Sequence, residues 1–467
     1  MNYKWVALSN TTLGALMSSL DTNIVIIALP TISRELMASP VQMLWTIVGY
    51  QVIIATFLIN FGRLSDMFGR VKLYNLGFAV FTIGSALCSV SQNGLELVAF
   101  RMLQGIGAAF LFSNSAAILT DAFPPNERGL ALGTNQIAIV VGSVAGLILG
   151  GLLTGIAGWR SIFWVNIPIG SFATIWAHLK LKELAKIERK AKFDFLGNLV
   201  FGLSIVLVLL AITLFSLTDL GTEFFYIMMF SGLLLMLVFI EIERKTRSPM
   251  MDLSLFKIKN FTLGNIAIFF NALARGAITL VLTLYLQGPT MDLSPLEAGI
   301  YLTPLSVSLA VLGPISGRLS DKYGQRFFAV LGLAVSIVGF ALLTQIGYSS
   351  TFEELLIPLI FSGAGMGIFA SPNRASIMNS VPAHRRGIAS GISTTLNNVG
   401  QTLSLGLSFA IMGQRVPKEY LLDIFSGTGT QSNYWVSDFI DSMHEIFMLS
   451  IGFLIIALIA SSLRLKD

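Results

Sequence analysis

Gly62-Arg63-Leu64-Ser65-Asp66-Met67-Phe68-Gly69-Arg70 returns, shifted by 255 positions, as Gly317-Arg318-Leu319-Ser320-Asp321-Lys322-Tyr323-Gly324-Gln325-Arg326. A second correspondence, shifted by 258, sets Gly105, Gly107, Arg128, Gly129, Gly133 and Gly142 beside Gly363, Gly365, Arg386, Gly387, Gly391 and Gly400. Two motifs at nearly one offset mark an internal duplication. On both sides of each repeated loop runs an apolar stretch of about 20 residues, the length a helix needs to cross a hydrocarbon layer about 30 Å thick. The repeated loop therefore joins two membrane-spanning helices, and its repetition implies a repeated bundle.

Composition supports that reading along the whole chain. Of 467 residues, 54% are hydrophobic and 12% are charged, whereas soluble domains carry about 25% charged residues. Apolar segments centre near residues 18, 52, 82, 108, 143, 171, 206, 232, 275, 306, 337, 363, 399 and 453, which makes fourteen. The first, near residues 6 to 30, holds Asp21 and lacks a small-residue cleavage site, so it is expected to be a retained helix and no signal peptide. The single cysteine, Cys88, excludes an intramolecular disulfide, and the scattered His178, His384 and His444 lack the spacing of a structural zinc site. No metal or cofactor is expected. No clustered histidines or nucleophile-base arrangement points to an enzyme. The formal charge of +5 comes from short basic clusters between apolar runs and not from a continuous stripe, so no nucleic-acid partner is expected.

Those clusters orient the chain. With an even number of spans both termini share one side, and 24 of the 30 Lys and Arg residues fall there. Only Arg34, Arg160, Arg415 and Lys418 lie opposite, while Arg101 and Arg275 lie inside apolar runs. The positive-inside rule then makes both termini cytoplasmic, in a multi-pass plasma-membrane protein. Trp5, Trp45, Trp159, Trp164 and Trp176 fall near predicted helix ends, as headgroup-level anchors do.

The expected fold is an all-α membrane protein with fourteen transmembrane helices. A six-helix bundle (1–192) is followed by two inserted helices (193–242) and a second six-helix bundle (243–467), the two bundles repeating in the same orientation about an axis along the membrane normal. Parallel six-helix halves suit alternating access, with a small-molecule substrate held near the midplane. Lipid, substrate and protons are the expected partners, and the monomer the expected functional unit. A sensor that transports nothing is the alternative of another class.

At these motifs the sequence resembles the major facilitator superfamily, in particular its fourteen-helix drug:proton antiporter branch. Residues 62 to 73 are similar to the signature loop after the second helix, with Gly62, Asp66, Gly69 and Arg70 in place. Leu97 to Ala109, carrying Arg101, Gln104, Gly105 and Gly107, resembles the fourth-helix motif. Ser19-Leu20-Asp21-Thr22-Asn23-Ile24-Val25, continuing to Ala28-Leu29-Pro30, resembles the first-helix motif of the branch. Trp159 to Gly170 matches the start of its sixth helix. The fifth-helix antiporter motif is present as Gly133, Gly142, Gly146, Gly150 and Gly151, with Leu147 where the family has proline; the small residues still permit close helix packing. The resemblance implies proton-coupled export of amphipathic organic compounds or drugs, with a lipid or anionic-metabolite transporter of the same fold as the alternative.

Ionisable groups within apolar spans are costly and usually face a partner or a cavity. Asp21 sits about nine residues, or roughly 13 Å, inside the exterior end of the first span, and is the candidate group for taking up and releasing a proton. Arg101, at similar depth in the fourth span, stays charged and can only tune a neighbouring acid; the resemblance implies that role. Arg275, near the middle of the ninth span, matches no family motif and is a candidate partner of Asp21 or receptor of an anionic substrate group. Asp21, Gln51, Asn114, Asn135, Gln136, Asn271, Arg275, Asn397, Asn398 and Gln401 are the candidate substrate-cavity residues. The amides among them serve equally as ligand-orienting groups or as interhelical hydrogen bonds. Glu96, Glu297, Glu353 and Glu354, near exterior helix ends, are expected to be solvated.

The repeated loops supply a candidate cytoplasmic latch of Gly62, Asp66, Gly69, Arg70, Arg128, Asp321, Arg385 and Arg386. Helix starts near Gly129 and Gly387 present free N–H groups and the positive end of a helix dipole. The repeat symmetry would bring Asp66 to the start near Arg385 and Arg386, and Asp321 to the start near Arg128. The resemblance implies that the Asp66 contact latches the outward-open state.

Overall fold

The computed structural model of the chain describes residues 2–124, 127–184, 194–218, 221–246, 249–348, 350–382, 385–427 and 435–465. His384, the expected boundary at 192 to 193 and most of the basic segment 180 to 192 lie outside the described residues. Every regular element among the described residues is helical: α1 (Tyr3–Leu36), α2 (Pro40–Phe68), α3 (Arg70–Val90), α4 (Gly94–Ala122), α5 (Arg128–Ala157), α6 (Ser161–Trp164), α7 (Asn166–Lys180), α8 (Phe195–Leu217) and α9 (Thr222–Lys245). After a 3-10 turn at Leu253–Lys257 come α10 (Lys259–Arg275), α11 (Ile278–Gln287), α12 (Pro295–Tyr323), α13 (Gln325–Leu343), α14 (Phe352–Asn379), α15 (Arg386–Arg415), α16 (Lys418–Ser426) and α17 (Trp435–Ser462).

Local chemistry explains how the quoted loops form. Ser39 and Ser294 each cap a helix that has proline at its first position, and each forms a reciprocal capping box, with Gln42 and Glu297. Both helices end on glycine at positive φ, Gly69 at 105° and Gly324 at 98°, a region that side-chain-bearing residues rarely enter. Each glycine N–H bonds the carbonyl four residues back, Ser65 and Ser320, and the next helix begins at the following residue. A one-residue hinge thus joins two long helices in each copy. Glu96, Glu297 and Glu354 sit in first turns beside their capping residues, which gives these solvated carboxylates a local role.

Thirteen segments among the described residues are long and apolar enough to cross a membrane; α6 with α7 forms one of them and α10 with α11 another. The 30-residue α15 matches a span in length, but its hydroxyls and amides keep it out of that apolar set. Much of the apolar surface points outward: on α9, Phe224, Ile227, Phe230, Leu233 and Leu237 are exposed. Water would penalise such a face, whereas lipid tails satisfy it.

The chain divides into two compact units, one of Met1–Gly202 with Thr246–Met250 and one of Leu203–Lys245 with Met251–Asp467. Within the first, α1 packs on α5, α2 and α3 on α4, and α3 on α7. Within the second, α10 packs on α15 and α17, α12 and α13 on α14, and α13 on α17. Two of the expected headgroup anchors are core residues instead. Trp159 is fully buried and Trp45 nearly so; Trp159 meets Phe163 edge-on and carries the Arg160 guanidinium 4.3 Å from its ring centre. Closeness to a helix end fixed their depth but not the direction in which the helix turned them. Trp5 and Trp164 are exposed.

Candidate functional site

The first unit builds its site from helices in backbone contact. A Cβ on Gly142 of α5 would lie 2.5 Å from the Leu16 carbonyl oxygen, one on Gly146 2.6 Å from that of Leu20, and one on Gly150 3.0 Å from that of Ile24. Side chains at these three positions would push α1 away. Gly151 is buried on the same helix, and α5 runs unbroken through the buried Leu147. On the other side of the site, Gly84 of α3 brings that helix against the backbone of Gln104 on α4.

Between these close-packed helices Asp21 and Arg101 meet. Arg101 Nη1 lies 2.5 Å from Asp21 Oδ2, and the two residues are 1% and 0% exposed. Asp21 Oδ1 accepts from Gln104 Nε2 at 2.9 Å and from Asn166 Nδ2 at 2.8 Å. Arg101 also donates to Gln104 Oε1 at 2.6 Å and, through Nε, to the Thr46 carbonyl at 3.3 Å. Its guanidinium lies 4.2 Å from the centre of the Tyr50 ring. Ser85 accepts from both amides and donates to the Phe163 carbonyl. Every helix from α1 to α4, together with α6 and α7, contributes to this cluster.

In this structure the Asp21 carboxylate is fully buried, with both oxygens bonded inside its own unit. Removing either member of a buried ion pair leaves the other uncompensated. Sequence reasoning treated Gln104 and Asn166 only as motif letters and passed over Ser85. The signal for Gln104 was available, since it lies three residues after Arg101 on the same helical face.

The other candidates of the first unit scatter. Asn114 is buried and donates to the Phe110 carbonyl of its own helix, and Asn135 is buried against Ser115. Gln51 is half-buried and Gln136 exposed. At the loop, Arg70 Nε bonds Asp66 at 2.8 Å and Arg70 Nη1 holds both oxygens of Asp121 at 2.8 and 2.9 Å. Arg128 bonds the Phe123 carbonyl, and a Cβ on Gly62 would meet nothing.

The second unit arranges its polar residues differently. The ninth span is interrupted at Gly276 and Ala277, between α10 and α11. A Cβ on Gly276 would lie 2.6 Å from the Gln401 carbonyl, so glycine here lets α15 press against the break. Ser404 Oγ accepts the Ala277 N–H at 3.1 Å. Arg275 is half-buried and donates through Nη2 to Asn397 Oδ1 at 3.0 Å, its one hydrogen bond among the described residues. Asn271 is buried, and Asn398 and Gln401 are half-buried. One turn from Asn397, Thr394 accepts from Arg374 Nη2 at 3.3 Å; sequence reasoning had counted Arg374 only as a topology charge. At the loop, Asp321 is exposed, Arg385 meets Asp252 at 3.3 Å, and Arg386 Nε bonds the Met378 carbonyl.

Comparison with known proteins agrees with this architecture. The family model described as Major Facilitator Superfamily matches residues 11–404 and 264–465. The chain is 34% identical over 415 residues to the riboflavin transporter RibZ of Clostridioides difficile, covering 88% of each chain. It is 30% identical to the multidrug resistance protein Stp of Mycobacterium tuberculosis, covering 86% of this chain and 74% of that one. It is 29% identical to multidrug resistance protein 3 of Bacillus subtilis, covering 93% and 84%. Among solved structures, a bacterial homologue of the human lysosomal transporter Spinster superposes with a TM-score of 0.67 at 19% identity, over 99% of this chain and 96% of that one, which shows the fold alone. The chain belongs to the Major Facilitator Superfamily and is a multi-pass membrane transporter.

Proposed function

We propose that this transporter is a proton-coupled exporter of amphipathic organic compounds, working by alternating access within the fourteen-helix antiporter branch. The observation that carries the reading is the sealed Asp21–Arg101–Gln104–Asn166 cluster. It joins a carboxylate to side chains and two backbone carbonyls drawn from six helices, so that a change of its charge would require those helices to adjust. Two relatives named for multidrug resistance support export. The glycine ridge of α5 on α1 supports the antiporter branch, although Leu147 replaces its proline.

In this reading α15 joins the thirteen apolar segments to make fourteen spans, standing thirteenth in chain order, and the chain comprises bundles 1–192 and 243–467 with two inserted helices. Both termini face the cytoplasm, the membrane is the plasma membrane, and the monomer is the working unit. Asp66 and Asp321, with Arg70, Arg128, Arg385 and Arg386, govern the cytoplasmic gate.

Purified protein in proteoliposomes tests the coupling directly. Substrate accumulation should follow an imposed pH gradient in sign and size and collapse when the gradient is dissipated. Accumulation indifferent to the gradient would sink the coupling and leave the family membership untouched.

A further inference from the structure

Arg275 and Arg374 differ from the buried arginine of the first unit in what surrounds them. A guanidinium carries five N–H donors, and each of these two uses one of its nitrogens in a hydrogen bond among the described residues, to the neutral side chains of Asn397 and Thr394. Those acceptors are three residues apart on α15, so they share a face with a rise of about 4.5 Å. Neither arginine forms an ion pair among the described residues. The helices that carry the arginines and their acceptors hold no compensating acid: α10, α11 and α15 contain no Asp or Glu, and α14 has only Glu353 and Glu354 in its first turn, at the opposite end from Arg374.

Arg101 spends two of its nitrogens on three acceptors, one of them the Asp21 carboxylate, whereas Arg275 is half-buried and Arg374 exposed, each with a single neutral acceptor. Two guanidiniums with donors to spare, along one polar helical stripe and without an acid, describe a receptor for negative charge. We infer that Arg275 and Arg374 form a single anion site along the Thr394–Asn397 stripe of α15, taking the anionic head of an amphipathic organic compound. Asn397 and Thr394 hold the two forks in place, and Asn398 and Gln401, half-buried on the same helix, add neutral donors. The site spans part of one unit, so it does not depend on the arrangement of the two. The inference deepens the transporter reading by giving its substrate a charge, and rests on that reading only for the word substrate.

Binding to purified full-length protein in nanodiscs, with no gradient, tests it with two matched probe pairs. Riboflavin and riboflavin 5′-phosphate share a ring system and differ by the phosphate; decyl sulfonate and decyltrimethylammonium share a chain and differ in the sign of the head. Each anion should bind at least about tenfold more tightly than its counterpart, a preference that shrinks with added salt. Arg275→Gln and Arg374→Gln should each remove about tenfold of that preference, and the lysine variants should retain part of it. Thermal melting monitors folding of every variant. No anion preference in the wild-type protein, failure of both anions to bind, or a folded Arg275→Gln/Arg374→Gln protein that keeps the preference would each overturn the site. Transport that ignores a pH gradient while the anion preference persists would overturn only the proton coupling.

Discussion

Each unit presses a glycine of one long helix onto the backbone of another, and the two treat charge in opposite ways. In the first, Gly142 rests on Leu16 and Leu20 of α1; in the second, Gly400 rests on the Phe269 carbonyl and the Leu273 nitrogen of α10. Immediately after Leu20 comes Asp21, and two residues after Leu273 comes Arg275. Arg101 answers Asp21 in the first unit, but at the corresponding position, shifted by 258, stands Leu359. Gly146 likewise corresponds to Ser404, whose hydroxyl takes up the N–H of Ala277 at the helix break. One copy of the ridge carries an unbroken helix and a neutralised pair, the other a broken helix and an open cation. Glycine contacts fix how the helices approach, while the charge beside them is answered by a counter-charge in one unit and by a neutral amide in the other.

The largest expected effect breaks the neutralised pair. Asp21→Asn or Arg101→Ala should each destabilise the purified protein by about 3–5 kcal/mol, because either leaves a buried group without its counter-charge. Arg275→Ala, which removes a partly solvated group with one neutral partner, should cost within about 1.5 kcal/mol. Denaturation in detergent measures all three. An Asp21→Asn/Arg101→Gln protein should recover much of the lost stability; if the proposed coupling through Asp21 holds, gradient-driven transport stays absent in it, which separates the fold's need for neutrality from the need for the acid. Equal losses for Arg101→Ala and Arg275→Ala would erase the contrast between the units.

A smaller effect tests the ridge. Gly146→Ala places a methyl group 2.6 Å from the Leu20 carbonyl, and overpacking of this kind costs about 1–3 kcal/mol. Gly133→Ala on the same helix meets nothing within 4 Å and should instead gain up to about 1 kcal/mol of helix propensity. In the other unit, Ser404→Ala removes the acceptor of the Ala277 N–H and should cost about 0.5–1.5 kcal/mol. Melting curves of the three variants, measured side by side, check the order; a Gly146→Ala protein as stable as Gly133→Ala would show that α1 and α5 are less tightly joined than their geometry requires.

Much of this was legible in the sequence because it depends on distance along the chain. The duplicated loop, the depths of Asp21 and Arg101 and the glycine spacing of α5 follow from position alone. Direction around a helix axis does not. Asp21 and Arg101 were separate candidates at similar depth, and nothing in their spacing across 80 positions showed that they bond. Trp159 illustrates the same limit, since its depth suited an anchor while its azimuth placed it in the core. Arg374 was hidden for another reason: as one of 24 same-side charges it satisfied the topology rule, which concealed that it stands within α14, with its acceptor on the stripe that serves Arg275.

The smallest effect concerns the loops where the duplication was first visible. Position 66 and position 321 both carry aspartate, but Arg70 corresponds to Gln325, and Asp121, at the later offset, corresponds to Asn379. Only the first loop therefore assembles the Asp66–Arg70–Asp121 chain, which is partly exposed. Exposed ion pairs contribute about 0–1 kcal/mol, so Asp66→Asn should lower global stability by no more than that, and Asp321→Asn by less. If Asp66 governs the cytoplasmic gate, a bias this small still matters, because about 1.4 kcal/mol shifts a two-state equilibrium tenfold and a fraction of that moves an evenly balanced one. Asp66→Asn is then expected to shift the population towards inward-open, and Asp321→Asn to shift it less. Cys88 is buried, so a single cysteine introduced on the cytoplasmic face can report accessibility to a membrane-impermeant thiol reagent. Labelling that rises in Asp66→Asn more than in Asp321→Asn supports an asymmetric gate built from a symmetric repeat. Identical labelling in both variants and the parent would leave Asp66 as the partner of Arg70 and nothing more.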